Sequence, residues 1–318
     1  MIADRGRHVR NFISLQYIVT QKGICCVRIG IDIGGTKIEI VTLDEAGEVL
    51  YRERVPTPAS YTRTLNCLAD LVEGAEQRLC QKGTIGLGMK GSIDANGQAK
   101  VSNTCINGKP FVADLQKLLN REIRMANDAN CFALSEAVDG AGAGHRVVFG
   151  VILGTGCGGG LVIDSQILPG ANRIAGEWGH NPMPFSTEQE RKGLRDCIQC
   201  ARPGCIETYL NGAAFEDLFE SVSGVRLSGR EIDSLPTTGD STAMDEYCHR
   251  FARGLSTVIN ILDPDVIVVG GGISNNQHIY EKTPPLLENY VAGGECATPL
   301  LKALHGDASG VRGAAWLW

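Results

Sequence analysis

The sequence predicts an α/β protein with two similar lobes and a cleft between them, and two observations support this fold. Residues 29–37 are echoed by residues 148–156, and each copy consists of an apolar run, a glycine-rich turn and a second apolar run. Strands also alternate with helices through both halves of the chain. Because the pattern occurs twice and no more, it indicates a duplicated lobe rather than a solenoid.

The elements of the first lobe follow from hydrophobic periodicity and turn residues. Strands are expected at 28–33, 38–43 and 48–55, with a hairpin turn at 45–48. Helical spacing predicts a helix over 61–81, whose apolar face consists of Leu65, Leu68, Val72, Ala75 and Leu79. The other predicted elements are a strand at 84–89, a helix that starts at Pro110, a strand at 122–126 and a helix from Ala129 to Gly140.

The second lobe repeats this alternation. Strands are predicted at 147–153, 160–164 and 265–269, the last of them followed by a glycine turn at 270–272. Helices are predicted at 206–220, 241–262 and 277–291, with a break in the last one at Pro284 and Pro285. The apolar end of the chain at 313–318 is expected to pack on a lobe, and the last helix to return to the first one.

A glycine-rich loop at 140–146 divides the predicted lobes into residues 27–145 and residues 146–318. Residues 1–26 are expected to be an N-terminal extension. They begin with a basic stretch, but the apolar residues that follow are sparse and no cleavage site is present, which argues against a signal peptide. Because valine codons can start translation in bacteria, we expect the natural chain to begin at Val27. Peptides from residues 1–26 in native protein would contradict this expectation.

Composition and charge exclude several classes of protein. The formal net charge is −6 and no basic stripe marks a nucleic-acid-binding surface. No apolar segment approaches the length of about 18 residues that a membrane span needs. Several of the 12 cysteines fall in helical patterns, where a free thiol packs as a small hydrophobe. We therefore expect a cytoplasmic protein with reduced thiols.

The glycine turns of the two repeats indicate a pair of phosphate-binding sites. Glycines at 34–36 and 154–156 let backbone N–H groups approach an anion closely. The second turn also matches G-x-G-x-x-G, but a strand rather than a helix follows it, so a dinucleotide site is not expected. Asp32 ends an apolar run and is costly to bury alone, which favours a contact with Mg²⁺ over a solvated strand end.

Two further segments allow both a structural and a chemical interpretation. Asp128 follows a strand and begins a helix, so it is either a helix N-cap or a general base that accepts a proton from a hydroxyl. The turn at 270–272 is either an ordinary strand-to-helix connection or a contact with a nucleotide. Each of these segments, taken alone, leaves both interpretations open.

Three clustered cysteines and one upstream histidine predict a metal site. Cys197, Cys200 and Cys205 have the spacing C-x2-C-x4-C, and His180 completes a set of four nitrogen and sulfur donors. Such a set is typical of a closed, structural Zn²⁺ site in a reducing compartment. The alternative is a group of buried cysteines without a metal.

Together these motifs resemble the ROK family of sugar kinases over residues 27–318. The resemblance rests on the segments 32–37, 127–130, 153–156, 176–180, 204–207 and 270–272. It implies the duplicated actin-like fold of the ribonuclease H and hexokinase type, and ATP-dependent phosphorylation of a hexose. The segments 177–182, 293–296 and 305–318 are similar to those of bacterial fructokinases and manno(fructo)kinases. They imply fructose, and also mannose, as the substrate and the 6-phosphate as the product.

The resemblance also implies roles for individual residues. Asp128 would be the base for the sugar hydroxyl, and a homodimer is usual among relatives. The residues expected to contact the sugar are Gly91, Asn103, Asn127, Asp128, Glu177, His180 and Glu207. Those expected to hold the ATP phosphates and Mg²⁺ are Gly30, Asp32, Gly34, Gly35, Thr36, Lys37, Gly154, Thr155, Gly156, Gly158, Gly270, Gly271 and Gly272. His180 would in addition bind zinc with Cys197, Cys200 and Cys205.

The sequence departs from the family pattern at three positions. Ile198 stands where the first cysteine of the zinc loop is expected, and Ala201 replaces a glycine. Lys90 replaces the proline that usually precedes Gly91, next to the sugar pocket. Kinases of the same family that act on N-acetylglucosamine or glucose are the alternative to a fructokinase. A more remote alternative is a sugar-sensing repressor, which would need a helix-turn-helix segment ahead of the lobes.

Overall fold

The computed structural model describes residues 26–101, 104–233 and 241–318, so residues 1–25, on which the repressor alternative depends, lie outside it. The strands are β1 Val27–Ile33, β2 Lys37–Leu43, β3 Val49–Pro56, β4 Gly83–Met89, β5 Ser92–Ile93, β6 Ala99–Lys100, β7 Ile123–Asn127, β8 Val147–Leu153, β9 Cys157–Ile163, β10 Gln166–Ile167, β11 Val266–Gly270 and β12 Leu300–Lys302. The helices are α1 Tyr61–Leu79, α2 Phe111–Leu119, α3 Asp128–Val138, α4 Glu188–Arg191, α5 Glu207–Leu210, α6 Gly212–Ser223, α7 Gly229–Asp233, α8 Thr242–Leu262, α9 His278–Leu287 and α10 Ser309–Ala315.

Two five-stranded sheets with the same topology form the framework. Their strand orders are β3-β2-β1-β4-β7 and β10-β9-β8-β11-β12. In each sheet the first three strands are antiparallel and the last two run parallel to the central one. The repeat seen in the sequence is therefore the central hairpin of each sheet. Ile33 pairs with Ile38 across the first turn and Leu153 with Cys157 across the second, which makes the second turn one residue shorter.

Two helices are exchanged between the sheets. The helix α3 follows a strand of the first sheet but packs on the second, where a Cβ at Gly150 would lie 2.7 Å from the Ala133 methyl group. Conversely, α10 lies on the first sheet, and a Cβ at Gly30 or Gly86 would overlap with its backbone. Gly30 therefore serves close helix packing, and its contact with the nucleotide stays a prediction.

A buried polar cluster holds the exchanged helices together. The Glu136 carboxylate is fully buried and accepts hydrogen bonds from the Leu304 N–H (2.9 Å), the His305 N–H (3.1 Å) and the Ser309 hydroxyl (2.7 Å). One helical turn later, Asp139 accepts from the Trp316 indole (2.9 Å) and from the side chains of His305 and Arg312. These bonds satisfy the carboxylates that the contact between the helices buries.

Three predicted elements have different bounds in the structure. The strand expected at 160–164 is β9, which begins at Cys157 because glycines within it let α3 and Trp178 pack closely. The helix expected at 206–220 is divided into α5 and α6 at Asn211, whose side chain caps the second helix through the Ala214 N–H. The prolines of α9 lie inside that helix, which continues to a buried Leu287.

Among the described residues, no helix has the length and apolar character that crossing a membrane requires.

Candidate functional site

The carboxyl ends of the parallel strands in the first sheet bring two acidic residues to the same edge. Asp32 on β1 pairs with Gly88 on β4, and Met89 on β4 pairs with Asn127 on β7. Asp128 follows directly. Ligands of open α/β sheets bind at this kind of edge, where parallel strands end.

Asp32 is a carboxylate in an unfavourable electrostatic environment. Burial, with smaller contributions from Asp128 and Glu39, raises its pKa from 3.8 to about 6. Glu39 lies opposite Asp32 on β2, is buried, and is itself bound by Arg52 (2.5 Å) and Arg54 (2.6 Å). A divalent cation at Asp32 would offset this repulsion, so the donor chemistry fits Mg²⁺. Glu39 was not among the predicted site residues, although a carboxylate within the apolar run 38–41 is a detectable signal.

The hydrogen bonds at the start of α3 show whether Asp128 acts as the N-cap of that helix. The Asn127 side-chain oxygen accepts from the Asn130 N–H (2.8 Å), so the cap is Asn127. The Asp128 carboxylate accepts from the neighbouring Ala129 N–H (2.9 Å). The residue is exposed to solvent on one side, while the protein atoms around the carboxyl group raise its pKa by desolvation. The capping role is therefore filled by another residue. A contact between Asn127 and a sugar could use its amide nitrogen or the second lone pair of its side-chain oxygen.

Two carboxylates of the second lobe face Asp128. Burial raises the pKa of Glu177, and Asp128 and Glu207 raise it further, while His180 at 3.6 Å lowers it. Glu207, the first residue of α5, accepts the Cys157 N–H at 3.1 Å. Glu177 is thus influenced electrostatically by Asp128 of the first lobe and by Glu207 of the second. Several acceptors placed together in this way are suited to hydroxyl groups of a sugar.

Each glycine turn lies at the end of the central strand of its sheet. In the first turn, Gly35 has open space where a Cβ would be. In the second, the Gly154 carbonyl accepts the Gly212 N–H (2.7 Å) at the start of α6. Gly271 has a φ of +86° and packs on the Leu153 carbonyl, which brings the turn at 270–272 beside the turn at 154–156. The two glycine turns of the second lobe therefore lie side by side, where the parallel strands β8 and β11 end.

Two further glycines that were predicted to contact nucleotide lie against α3. Gly158 is the second residue of β9, and its Cβ position lies 3.4 Å from the Ala129 methyl group. Gly270 ends β11, where a Cβ would overlap with the Phe132 ring. Close packing on α3 therefore accounts for the glycine at 270 but not for the one at 158, and the contacts of both with nucleotide stay predictions.

The predicted zinc ligands come together. The ligand atoms of His180, Cys197, Cys200 and Cys205 all lie within 4.8 Å of one another. The Cys197 sulfur is 3.4 Å from His180 Nδ1, and the Cys200 and Cys205 sulfurs are 3.2 Å apart. Since Zn–S bonds are about 2.3 Å long, these separations fit four donors around one Zn²⁺. His180 turns its other ring nitrogen toward Glu177, and so connects this cluster to the carboxylates.

The two departures from the family pattern in the zinc loop, at Ile198 and Ala201, affect solvent exposure and backbone conformation. Ile198 is completely exposed to solvent, and the buried Cys197 takes part in the cluster in its place. Ala201 has a φ of +50°, in the left-handed region that glycine adopts without strain. The loop therefore keeps a glycine-like backbone at a position that has lost its glycine.

The remaining sugar-contact predictions concern the first lobe. Gly91 has a φ of +92°, and a Cβ there would overlap with the Lys100 carbonyl, so this turn requires glycine. Asn103 lies outside the described residues. A contact that the sequence could not reveal is the hydrogen bond from Arg173 to the Ile93 carbonyl (3.4 Å), which links the second lobe to the β5–β6 hairpin.

Comparisons with known proteins identify the family. The family model described as "ROK family" matches residues 28–318. An N-acetyl-D-glucosamine kinase from Haemophilus influenzae (strain 86-028NP) is 40% identical over 299 residues, which cover 91% of this chain and 98% of that relative.

Two solved structures are similar as well. The ROK hexokinase from Thermus thermophilus has a TM-score of 0.80 at 29% identity, covering 92% of this chain and 97% of that one. The ROK family glucokinase from Streptomyces griseus, in complex with glucose and AMPPNP, has a TM-score of 0.68 at 26% identity, covering 91% and 98%. These neighbours confirm the predicted actin-like fold of the hexokinase type. The chain therefore belongs to the ROK family.

Proposed function

We propose that this protein is an ATP-dependent sugar kinase that phosphorylates N-acetylglucosamine, and that Asp128 is its general base. The observation that carries the proposal is the position of Asp128, which is released from helix capping by Asn127 and lies between Asp32 and Glu177. The relative from Haemophilus influenzae, named an N-acetylglucosamine kinase, supports the choice of sugar. It favours this alternative over the fructose that the C-terminal motifs predicted.

In this proposal, different residues act on the sugar hydroxyl, on the position of the sugar and on the phosphates. Asp128 accepts the proton of the sugar hydroxyl as that oxygen attacks the γ-phosphorus. Glu177, Glu207 and His180 orient the sugar through its hydroxyl groups, and this positioning lowers the entropic part of the barrier. Asp32 and the first glycine turn face the triphosphate together with the turns at 154–156 and 270–272. Bound Mg²⁺ would neutralise charge on the phosphates.

The zinc cluster has a supporting role in this proposal. His180 contacts both Cys197 and Glu177, so the position of its ring depends on the cluster. A structural Zn²⁺ there would fix the ring that orients the sugar and would take no part in the chemistry.

The test is coupled ADP release with N-acetylglucosamine, glucose, mannose and fructose, in the wild type and in Asp128→Asn. We expect N-acetylglucosamine to give the highest kcat/KM, because the relative named for that sugar is 40% identical to this chain, whereas the hexokinase and the glucokinase are 29% and 26% identical. Loss of the base should lower kcat by about 10²–10⁴-fold while sugar binding measured by calorimetry persists. The control is Asp70→Asn, which removes an exposed carboxylate of α1. Near-normal turnover of Asp128→Asn would contradict the role of the base, and a preference for fructose would contradict the choice of sugar.

A further inference from the structure

Lys90 lies where the parallel strands of the first sheet end. It is the first residue after β4, and β4 lies between β1, which carries Asp32, and β7, which is followed by Asp128. The strand registers place Asp32 beside Gly88, and Met89 beside Asn127. Lys90 therefore leaves the sheet between the carboxylate on the proposed metal side and the carboxylate on the proposed sugar side.

The backbone at this position is held in place. Gly91, the next residue, has a φ of +92°, and it packs so closely on the Lys100 carbonyl that no side chain fits. The short β5–β6 hairpin that follows pairs Ser92 with Lys100. The Cα atom of Lys90 is thus fixed between a buried strand and a tight turn, while its side chain is exposed at the edge.

The local charge balance gives this lysine an electrostatic role. Asp32, Asp128, Glu177 and Glu207 bring four carboxylates to the cleft. The ammonium group of Lys90 is near enough to Asp128 to oppose the effect of burial on the pKa of that carboxyl. Within the described part of the chain, Lys90 forms no ion pair with a carboxylate at 4.0 Å or less. Its charge therefore remains available to a ligand.

We propose that Lys90 is a further residue of the phosphoryl-transfer site, where its ammonium group stabilises the negative charge of the phosphoryl group as it passes from ATP to the sugar. This inference rests on the proposed kinase function. In the transfer, a bond forms between the sugar oxygen and the γ-phosphorus, and the bond from that phosphorus to the β–γ bridging oxygen breaks. The proton of the hydroxyl goes to Asp128 and ADP leaves with the electron pair of the broken bond. Lys90 forms and breaks no covalent bond.

The geometry explains why this strand would supply the charge. The phosphoryl group has to move from the side of Asp32 to the side of Asp128, and it therefore crosses the end of β4. Cations placed where charge is redistributed in phosphoryl transfer accelerate the reaction, because they bind the transition state better than the ground state. The proline that usually occupies this position in the family could not supply that charge.

The experiment compares Lys90→Met and Lys90→Arg with Lys100→Met, in steady-state kinetics at several pH values. Lys100 is an exposed lysine of the same hairpin, so its substitution makes the same change in net charge. We expect Lys90→Met to lower kcat by about tenfold or more, with the KM for both substrates changed by less than about threefold. Lys90→Arg should recover part of the loss, and Lys100→Met should behave like the wild type.

Two outcomes would overturn the assignment of Lys90. One is a Lys90→Met variant with the same kcat as Lys100→Met, or with a change confined to the KM of the sugar. The other is a loss that disappears at high pH, because Lys90 would then act through the protonation of Asp128 alone. If the wild type and Lys100→Met released no ADP with any sugar, the proposed function itself would be wrong, and this inference with it.

Discussion

Asp32 should destabilise the ligand-free protein, and replacing it by the isosteric asparagine should therefore increase stability. Burial raises the pKa of this carboxyl from 3.8 to about 6. Below the lower of these values the carboxyl is protonated in both the folded and the unfolded chain, so it contributes no penalty. As the pH rises through this window, the unfolded chain releases the proton first, and the folded state loses relative stability.

The size of the effect follows from the shift in pKa. A difference of roughly two units corresponds to about 3 kcal/mol at about 1.4 kcal/mol per unit. This full penalty applies above the folded pKa, and about half of it is present at pH 5. Asp32→Asn carries no charge at any of these pH values. The gain in unfolding free energy should therefore be about twice as large at pH 7.5 as at pH 5.

Urea denaturation without nucleotide and with a chelator, at pH 5 and pH 7.5, measures this gain. The same variant should lose sugar-dependent ADP release, because the side chain that we propose to face Mg²⁺ has no charge. Asp70→Asn, an exposed carboxylate on α1, is the matched control and should change stability little at either pH. An asparagine variant that is less stable than the wild type at pH 7.5, or that gains equally at both pH values, would refute the reasoning.

Three further predictions concern stability and metal content. By atomic absorption we expect one bound zinc per chain. Cys200→Ser should lose this zinc, whereas substitution of the exposed Cys80 by serine should leave it in place. Equal zinc content in the two variants would contradict the four-ligand site. Gly313→Ala should destabilise the fold by about 3 kcal/mol, since the added methyl group would overlap with the Cys131 carbonyl. Gly74→Ala places its methyl group in open space on α1, so it should stabilise the fold by about 0.5–1 kcal/mol. The hydrogen bond to Asp139 raises the pKa of His305, so its stabilising effect is present below its unfolded pKa and is lost as the pH rises through the folded value. The stability difference between wild type and His305→Gln should accordingly shrink at high pH, and a difference that is constant from pH 6 to pH 9 would contradict this.

The sequence was sufficient for the repeated hairpins, because apolar runs around glycine turns are local signals. It predicted β1, β8 and α8 to within one or two residues. It also predicted the four residues of the candidate zinc site, since the cysteine spacing and His180 lie in one short region of the chain, and the structure brings their ligand atoms together.

Packing between distant segments was not predictable in the same way. Gly30 and Gly270 look like ligand-contact glycines in the sequence, and the structure shows that their lack of a side chain also admits α10 and α3. The helix that passes over each glycine comes from the other lobe, and no local pattern shows this. For the same reason, the choice of Asn127 rather than Asp128 as the cap became visible only in the hydrogen bonds.

The helix exchange explains why the proposed base belongs to both lobes. Asp128 follows the last strand of the first sheet, yet it begins α3, whose body packs on the second sheet through Gly150 and Gly160. The far end of the same helix is bound to α10 and its preceding segment by Glu136 and Asp139. A relative rotation of the lobes would therefore displace Asp128 less than Glu177 or Glu207, because Asp128 lies where the two bodies join. Closure of the cleft would thus bring the second-lobe carboxylates that we propose to bind the sugar toward the base.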